Sequence, residues 1–217
     1  MSSSIIILGS GGNSLDILET LHDLNLAAGE TLYTCAGFLD DRENLHGTRQ
    51  HGHPILGPLS SAAQYPECRF VNGIGSPESY LNKPEIIAQT GLDDSAFVTL
   101  VHPTAYVSAS ARLGIGSVIL QNATVTSDVI VGKHVIVLPN SVVSHEVLVG
   151  DYSCIAAGVM ISSRVVVEQC CYLGTGSCIR GDLRIGEGAL VGMGSVVLEN
   201  VAAGNAVVGN PARPLRA

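Results

Sequence analysis

From Val101 to Val197 every sixth residue is Val, Ile or Leu, seventeen positions in succession without an exception. An α-helix repeats near 3.6 residues and a half-buried strand near two, so neither produces a period of six. A hexapeptide period fits a prism-shaped parallel β-helix, in which each repeat lays one short strand on one face and turns one aliphatic inward. Three hexapeptides complete an 18-residue coil, so 101–208 is the length of six coils. The position four after each aliphatic is small or β-branched nearly throughout, as at Ala105, Ser117, Val129 and Ser153, with Leu183 the bulkiest. Glycine recurs directly after the aliphatic at Gly114, Gly132, Gly150, Gly174, Gly186 and Gly192, which predicts corners where the chain bends without room for a Cβ.

The first hundred residues carry a different pattern. An apolar run at 5–8 predicts a short strand, followed at once by Gly9-Ser10-Gly11-Gly12-Asn13-Ser14 and a helix from about Ser14 with Ile17, Leu18, Leu21 and Leu24 on one face. Strands are expected at 31–39, ending in Asp40-Asp41, at 69–74 and at 96–100, with a helix over 77–89. Alternating strands and helices imply a small parallel sheet wrapped by helices. The division is therefore an α/β unit over 1–100 and a left-handed parallel β-helix with a C-terminal cap over 101–217. The turn reads G-x-G-x-x-S, part of a dinucleotide fingerprint, and its acidic pair falls later than that fingerprint requires. Two readings stand for it: a tight strand-to-helix turn, or backbone N–H groups at a helix N-terminus that hold a diphosphate, with Asp40 and Asp41 accepting ribose or base hydrogen bonds.

Composition narrows the function. Hydrophobic residues make up 46% of the chain but aromatics only 4%, with no Trp, as small aliphatics filling a narrow prism would give. No apolar stretch approaches the roughly 18–20 residues of a spanning helix. The start, with a four-residue apolar run and no basic segment, does not read as a signal peptide. A net charge of −8 argues against nucleic acid, whose phosphates require clustered Lys and Arg. Six cysteines without CxxC pairing read as buried hydrophobes or free thiols, and the expected compartment is cytoplasmic.

Of the histidines in the repeats, His102, His134 and His145 occupy different places within their hexapeptides, so no metal site is expected. His102, before Pro103, reads as structural and His134 as a solvated turn residue. His145-Glu146 puts an imidazole beside a carboxylate on an outward position of the central coils. Such a pair is either a surface turn or a general base whose tautomer the carboxylate fixes. One coil beyond His145 stands Ser163, about 4.8 Å along the axis, whose N–H is suited to polarising a carbonyl beside that base. A neighbouring column holds Ala157, Thr175 and Met193, room for an extended pantetheine arm. Arg180, Arg184, Arg213 and Arg216 lie toward the C-terminal end, where phosphates could be met.

Taken in order, the turn at 9–13, Phe38-Leu39-Asp40-Asp41, Pro54-Ile55-Leu56-Gly57, Gly73-Ile74-Gly75, His102-Pro103, His145-Glu146 and Val207-Val208-Gly209-Asn210-Pro211-Ala212-Arg213 resemble a known family over nearly the whole chain. It comprises the bacterial hexapeptide-repeat acyltransferases with an N-terminal Rossmann-like domain, which N-acetylate nucleotide-linked amino sugars or O-acetylate sialic acids. The resemblance implies a homotrimer with active sites between neighbouring prisms, His145 as general base and Glu146 as its orienting partner. It implies that Gly11, Gly12, Asn13, Asp40, Asp41 and Gly73 hold the sugar nucleotide, here one bearing a 4-amino-4,6-dideoxy sugar. Acetyl-CoA would meet Cys154, Ser163, Thr175 and Met193, and the amine would attack the thioester directly. The chain departs from the family at Asn13 and Cys154, where many members have histidine, and at Ser163, where glycine is usual. O-acetylation of a sialic-acid-like sugar would use the same base, and a non-catalytic binding protein would use the same scaffold. A nicotinamide-dependent oxidoreductase is disfavoured, because the first hundred residues leave little room for a full cofactor site.

Overall fold

The computed structural model describes residues 2–215. Two-residue strands run from Leu100–Val101 to Val196–Val197 at six-residue intervals, and the periodic aliphatic is the second residue of each. They stack in parallel into three sheets, with Thr124 facing Val142 and Val142 facing Met160, so that register advances by one 18-residue coil per rung. The three faces enclose one aliphatic core, in which Ile119, Val137, Ile155, Leu173 and Val191 have no exposed surface. This is the parallel-sheet arrangement of a left-handed β-helix of hexapeptide repeats. The first face holds the strand Leu100–Val101, the second Tyr106–Val107 and the third Arg112–Leu113, and each repeats every 18 residues. The last coil is shorter: Ala206–Val208 pairs with Leu190–Val191, and Arg213–Pro214 folds back antiparallel to close the stack.

The corners obey a rule that the glycine pattern only partly anticipated. The residue three after each inward aliphatic, from Gly116 to Gly194, has a left-handed backbone, and nine of these fourteen are not glycine. A left-handed non-glycine residue costs roughly 1 kcal/mol. In return its N–H turns toward the coil below, as when Glu146 N donates to Ser127 O at 3.0 Å and Tyr152 N to Lys133 O at 2.8 Å. The glycines directly after the aliphatic are not left-handed. They are required because the next coil lies against them: a Cβ on Gly132 would come 2.6 Å from the Asp151 backbone nitrogen.

Residues 2–99 form a smaller unit on the first face. Strand β1 (Ser3–Leu8) leads into helix α1 (Gly12–Ala28) and β2 (Tyr33–Leu39), then a hairpin of β3 (Arg49–Gln50) and β4 (His53–Gly57), then β5 (Arg69–Asn72) and helix α2 (Lys83–Ala88). The sheet order is β3-β4-β2-β1-β5, parallel except for the β3–β4 hairpin. Ile17 and Leu21 of α1 share a core with Leu100, Val118 and Leu120 on the outside of the first face. His102 ties the two together: its Nε2 meets Asp23 Oδ2 at 2.9 Å and its Nδ1 meets Thr104 Oγ1 at 2.9 Å.

Two local expectations change, and one element is added. The helix expected over 77–89 occupies only Lys83–Ala88. Pro84 allows a helix to start beside it but would remove a bond and clash within one running through from residue 77. The strand expected at 96–100 is split: Phe97 bridges Phe70 in parallel at the edge of the N-terminal sheet, with Val98 N donating to Phe70 O at 2.9 Å, and Leu100–Val101 pairs with Val118–Ile119 as the first rung of the prism. The β3–β4 hairpin was not expected from the sequence.

Close approach and backbone angle can be separated by substitution. Gly132→Ala should destabilise the protein by about 3 kcal/mol in urea denaturation, because backbone must move. Gly158→Ala has a left-handed residue to accommodate but its Cβ would meet nothing nearer than 4.0 Å, so a loss of about 1 kcal/mol is expected. The reverse order would reject this account of the corners.

Candidate active site

The central strand β1 has β2 on one side and β5 on the other, and the crevice beyond its carboxyl end is where open parallel sheets hold ligands. Residues 9–13 after β1, 40–42 after β2 and 73–77 after β5 ring a cleft of about 620 Å³, and Leu138 and Tyr172 of the prism form one wall. All six residues expected at a sugar nucleotide (Gly11, Gly12, Asn13, Asp40, Asp41 and Gly73) line it. Their roles differ. Gly11 and Gly12 face open space, so nothing in the protein itself demands glycine there. Gly73 is demanded by packing: a Cβ on it would lie 3.1 Å from Leu8 O and overlap Ser14.

Asp40 is not free to accept from a ligand. Its Oδ2 accepts from Ser10 N at 2.9 Å, Ser10 Oγ at 2.6 Å and Arg42 Nη2 at 2.8 Å, and its Oδ1 from Arg42 N at 3.0 Å and Nε at 2.9 Å. Burial alone would raise its carboxyl, but the Arg42 and Ser10 hydrogen bonds outweigh it and hold the group well below the usual carboxylate range. Asp41 keeps one oxygen available, since Oδ1 accepts from Leu59 N at 2.9 Å. Sequence reasoning missed Arg42, although its place two residues after Asp40 at a strand end was the available signal.

Asn13 and Cys154 meet at one atom. Asn13 Nδ2 donates to Gly75 O at 3.0 Å and the Cys154 thiol to the same oxygen at 3.4 Å. Cys154 lies on the outside of the first face, fully buried beneath the cleft, and burial pushes its thiol up to about 11. It is therefore separated from the other positions expected to meet acetyl-CoA. Thr175 and the exposed Met193 lie on the corner between first and second faces, and Ser163 on the corner between second and third.

His145 and Glu146 share that second corner with Ser163. The backbone is pinned on both sides, Glu146 N to Ser127 O below and Arg164 N to His145 O at 3.1 Å above. Both side chains are exposed, with His145 Nδ1 3.5 Å from Glu146 Oε2, within ion-pair range but longer than a hydrogen bond. Arg164 Nη1 stands 3.9 Å from Glu146 Oε2, while its Nε and Nη2 donate to Asp182. This corner is the prism edge opposite the first face, so one chain does not bring the dyad to the cleft.

His134 corrects another expectation. It is buried, stacked on Tyr152 at 5.4 Å and edge-on to Phe97 at 4.5 Å, and burial pushes it down to about 4. The hexapeptide frame put it on a corner, but that corner is covered by the N-terminal unit. Arg184 pairs with Glu168, Arg180 and Arg213 are exposed, and Arg216 lies outside the described residues. Among the described residues no helix is long and apolar enough to cross a membrane.

Fold and cleft together define a hexapeptide β-helix protein carrying a small parallel α/β unit. Residues 128–163 match the bacterial transferase hexapeptide family of six repeats. No curated protein matches the chain. Among solved structures, the acetyltransferase domain of PglB from Neisseria gonorrhoeae FA1090 in complex with acetyl coenzyme A is 26% identical, with 99% of this chain and 100% of that one covered and a TM-score of 0.85. WeeI from Acinetobacter baumannii AYE is 26% identical over 99% and 100% of the two chains, TM-score 0.82. A histidine-to-asparagine mutant of perosamine N-acetyltransferase from Caulobacter crescentus, in complex with CoA and GDP-perosamine, is 25% identical over 99% and 98%, TM-score 0.83.

Two measurements probe the base of the cleft. Asn13→Ala and Cys154→Ala should couple by about 0.5–1 kcal/mol in a double-mutant cycle of stability, since both bonds end on Gly75 O; strict additivity would show that they act separately. Lys83 is fully buried with no hydrogen-bond partner for Nζ among the described residues, and burial pushes it down to about 8 from 10.5. Below about pH 8 both states carry the proton and the folded state bears the full cost of a buried ammonium. Between about pH 8 and 10.5 the unfolded state binds more protons, so stability rises with pH. Lys83→Met should gain about 3 kcal/mol at pH 7 and lose that rise, measured as the difference from wild type in urea melts.

Proposed function

We propose that the chain is an acetyl-CoA-dependent N-acetyltransferase acting on the amine of a nucleotide-linked 4-amino-4,6-dideoxy sugar. The observation that carries this reading is the exposed His145–Glu146 pair, fixed by backbone bonds to the coils above and below on a hexapeptide prism. The whole-chain likeness to acetyltransferases supports it, as does the cleft at the strand ends. In the proposed division of labour, the Rossmann-like unit over 1–100 holds the nucleotide and the left-handed β-helix over 101–217 holds the cofactor. Asp41 and the amides of Gly11 and Gly12 would meet the nucleotide, and Ser163, Thr175 and Met193 the acetyl-CoA.

The chemistry needs no acyl-enzyme. The sugar amine attacks the thioester carbonyl carbon, His145 takes the proton released from nitrogen, and the C–S bond breaks to give the amide and the CoA thiol. Glu146 stabilises the imidazolium while it exists. The Ser163 N–H, donating at the developing oxyanion, is the role available on the next coil.

Because the dyad and the cleft lie on opposite sides of one prism, the reading includes a homotrimer in which the His145 corner of one subunit faces the cleft of its neighbour. The outward column Tyr106, Val142, Met160 and Val196 on the second face, with Tyr106 60% exposed, supplies apolar surface for that contact. A cytoplasmic location belongs to the same proposal.

Thiol release from acetyl-CoA, followed across UDP-, dTDP- and GDP-linked amino sugars, tests the reading. One acceptor should turn over, and His145→Ala should slow it by about 10²–10⁴-fold. CoA binding without turnover on any amine would favour O-acetylation, and absence of CoA binding would favour a non-catalytic scaffold.

A further inference from the structure

Arg42 is the one cationic side chain lining the cleft among the described residues, and it is held there by the Asp40 carboxylate, which also accepts from Ser10. Asp40 is 8% exposed in its side chain and Arg42 57%. The buried member anchors the pair, and the guanidinium faces the cleft. Nε and Nη2 are engaged by Asp40, and Nη2 also donates to Ser10 Oγ at 2.9 Å, which presses the guanidinium against the glycine turn itself. Nη1 remains for a ligand.

The surroundings decide which part of a ligand that is. The chain carries a net charge of −8 and the cleft wall holds two carboxylates, so an anion entering it would meet repulsion were Arg42 absent. Asp41, beside Arg42, keeps an oxygen for hydroxyl or base N–H donors. Next to Ser10, Gly11 and Gly12 leave open space above the backbone with no left-handed angle to account for their being glycine.

We propose that Arg42 is the residue that binds the diphosphate of the nucleotide-linked sugar, and that Asp40 is a positioning residue which fixes the guanidinium against the glycine turn for that purpose. This rests on the nucleotide-sugar reading of the cleft, and it changes the part assigned to Asp40 from ligand acceptor to anchor. Arg42 then sets affinity for the diphosphate without touching the reacting amine.

Calorimetric titration without acetyl-CoA separates this from the acetyl-transfer reading. The probes are UDP, dTDP and GDP, the matching nucleosides, and inorganic pyrophosphate. Arg42→Ala should weaken the diphosphate that binds by about 10–100-fold and leave its nucleoside unchanged. Arg42→Lys should recover only part of the loss, since the forked geometry is gone. Asp40→Asn, which keeps the arginine but loosens it, should fall between. Asp40 retains the donors of Ser10 and the backbone N–H of residue 42 in Arg42→Ala, so the variant should melt close to wild type.

In turnover, Arg42→Ala should raise KM with kcat retained, whereas His145→Ala loses kcat. Equal loss for nucleoside and diphosphate would assign Arg42 to the base and overturn the proposal. Unchanged affinity, or no nucleotide binding to the wild type, would overturn it as well. Arg42-dependent diphosphate binding in a protein that acetylates nothing would uphold it and remove the activity reading instead.

Discussion

The stacking of one 18-residue coil on the next is the constraint from which the rest of this structure follows. Parallel rungs about 4.8 Å apart leave no freedom in register, because each inward aliphatic must land on another one coil away. That requirement fixes where glycine is compulsory, where the backbone must turn left-handed, and which positions point outward at the three corners. The strain of the left-handed corner residues is offset by bonds from their N–H groups to the coil below. The same bonds make the corners rigid, and rigidity is what a catalytic side chain on a corner requires.

The N-terminal unit uses the prism as a wall. Its sheet buries α1 against the outside of the first face, and the loops after β1, β2 and β5 open over Leu138 and Tyr172. Cys154 and Asn13 hold the Gly75 carbonyl from below and from the side, so the cleft floor is set jointly by both parts of the chain. Lys83 shows the cost of that junction, a cation enclosed where the two surfaces close on each other. The unit also covers one corner of the prism and leaves another bare. His134 and His145 stand at neighbouring places in hexapeptides two corners apart, and one is packed between aromatic rings while the other is exposed.

Much of the prism was legible in the sequence, because a period of six tolerates no exception. The inward aliphatics, the outward place of His145 and its alignment with Ser163 follow from counting, since hydrogen bonds between coils repeat at fixed offsets. The glycine turn and the strand ending at Asp40-Asp41 were legible as well, since β1 and β2 both end in buried residues closed by turn residues. The shorter α2 could have been read from Pro84, which a longer helix would not accommodate.

What the sequence by itself determined is therefore everything governed by local repetition: coil length, inward face, and the residue types able to perform acid–base chemistry. Tertiary structure decided everything that depends on which surface meets which. It occupied the Asp40 carboxylate by bringing Ser10 from 30 residues away onto it. It drew Cys154 under Gly75 from 79 residues away, out of line with Thr175 and Met193. Spacing along a strand or coil is dictated by bond geometry, whereas contacts between the two parts of the chain depend on how two independently formed surfaces dock.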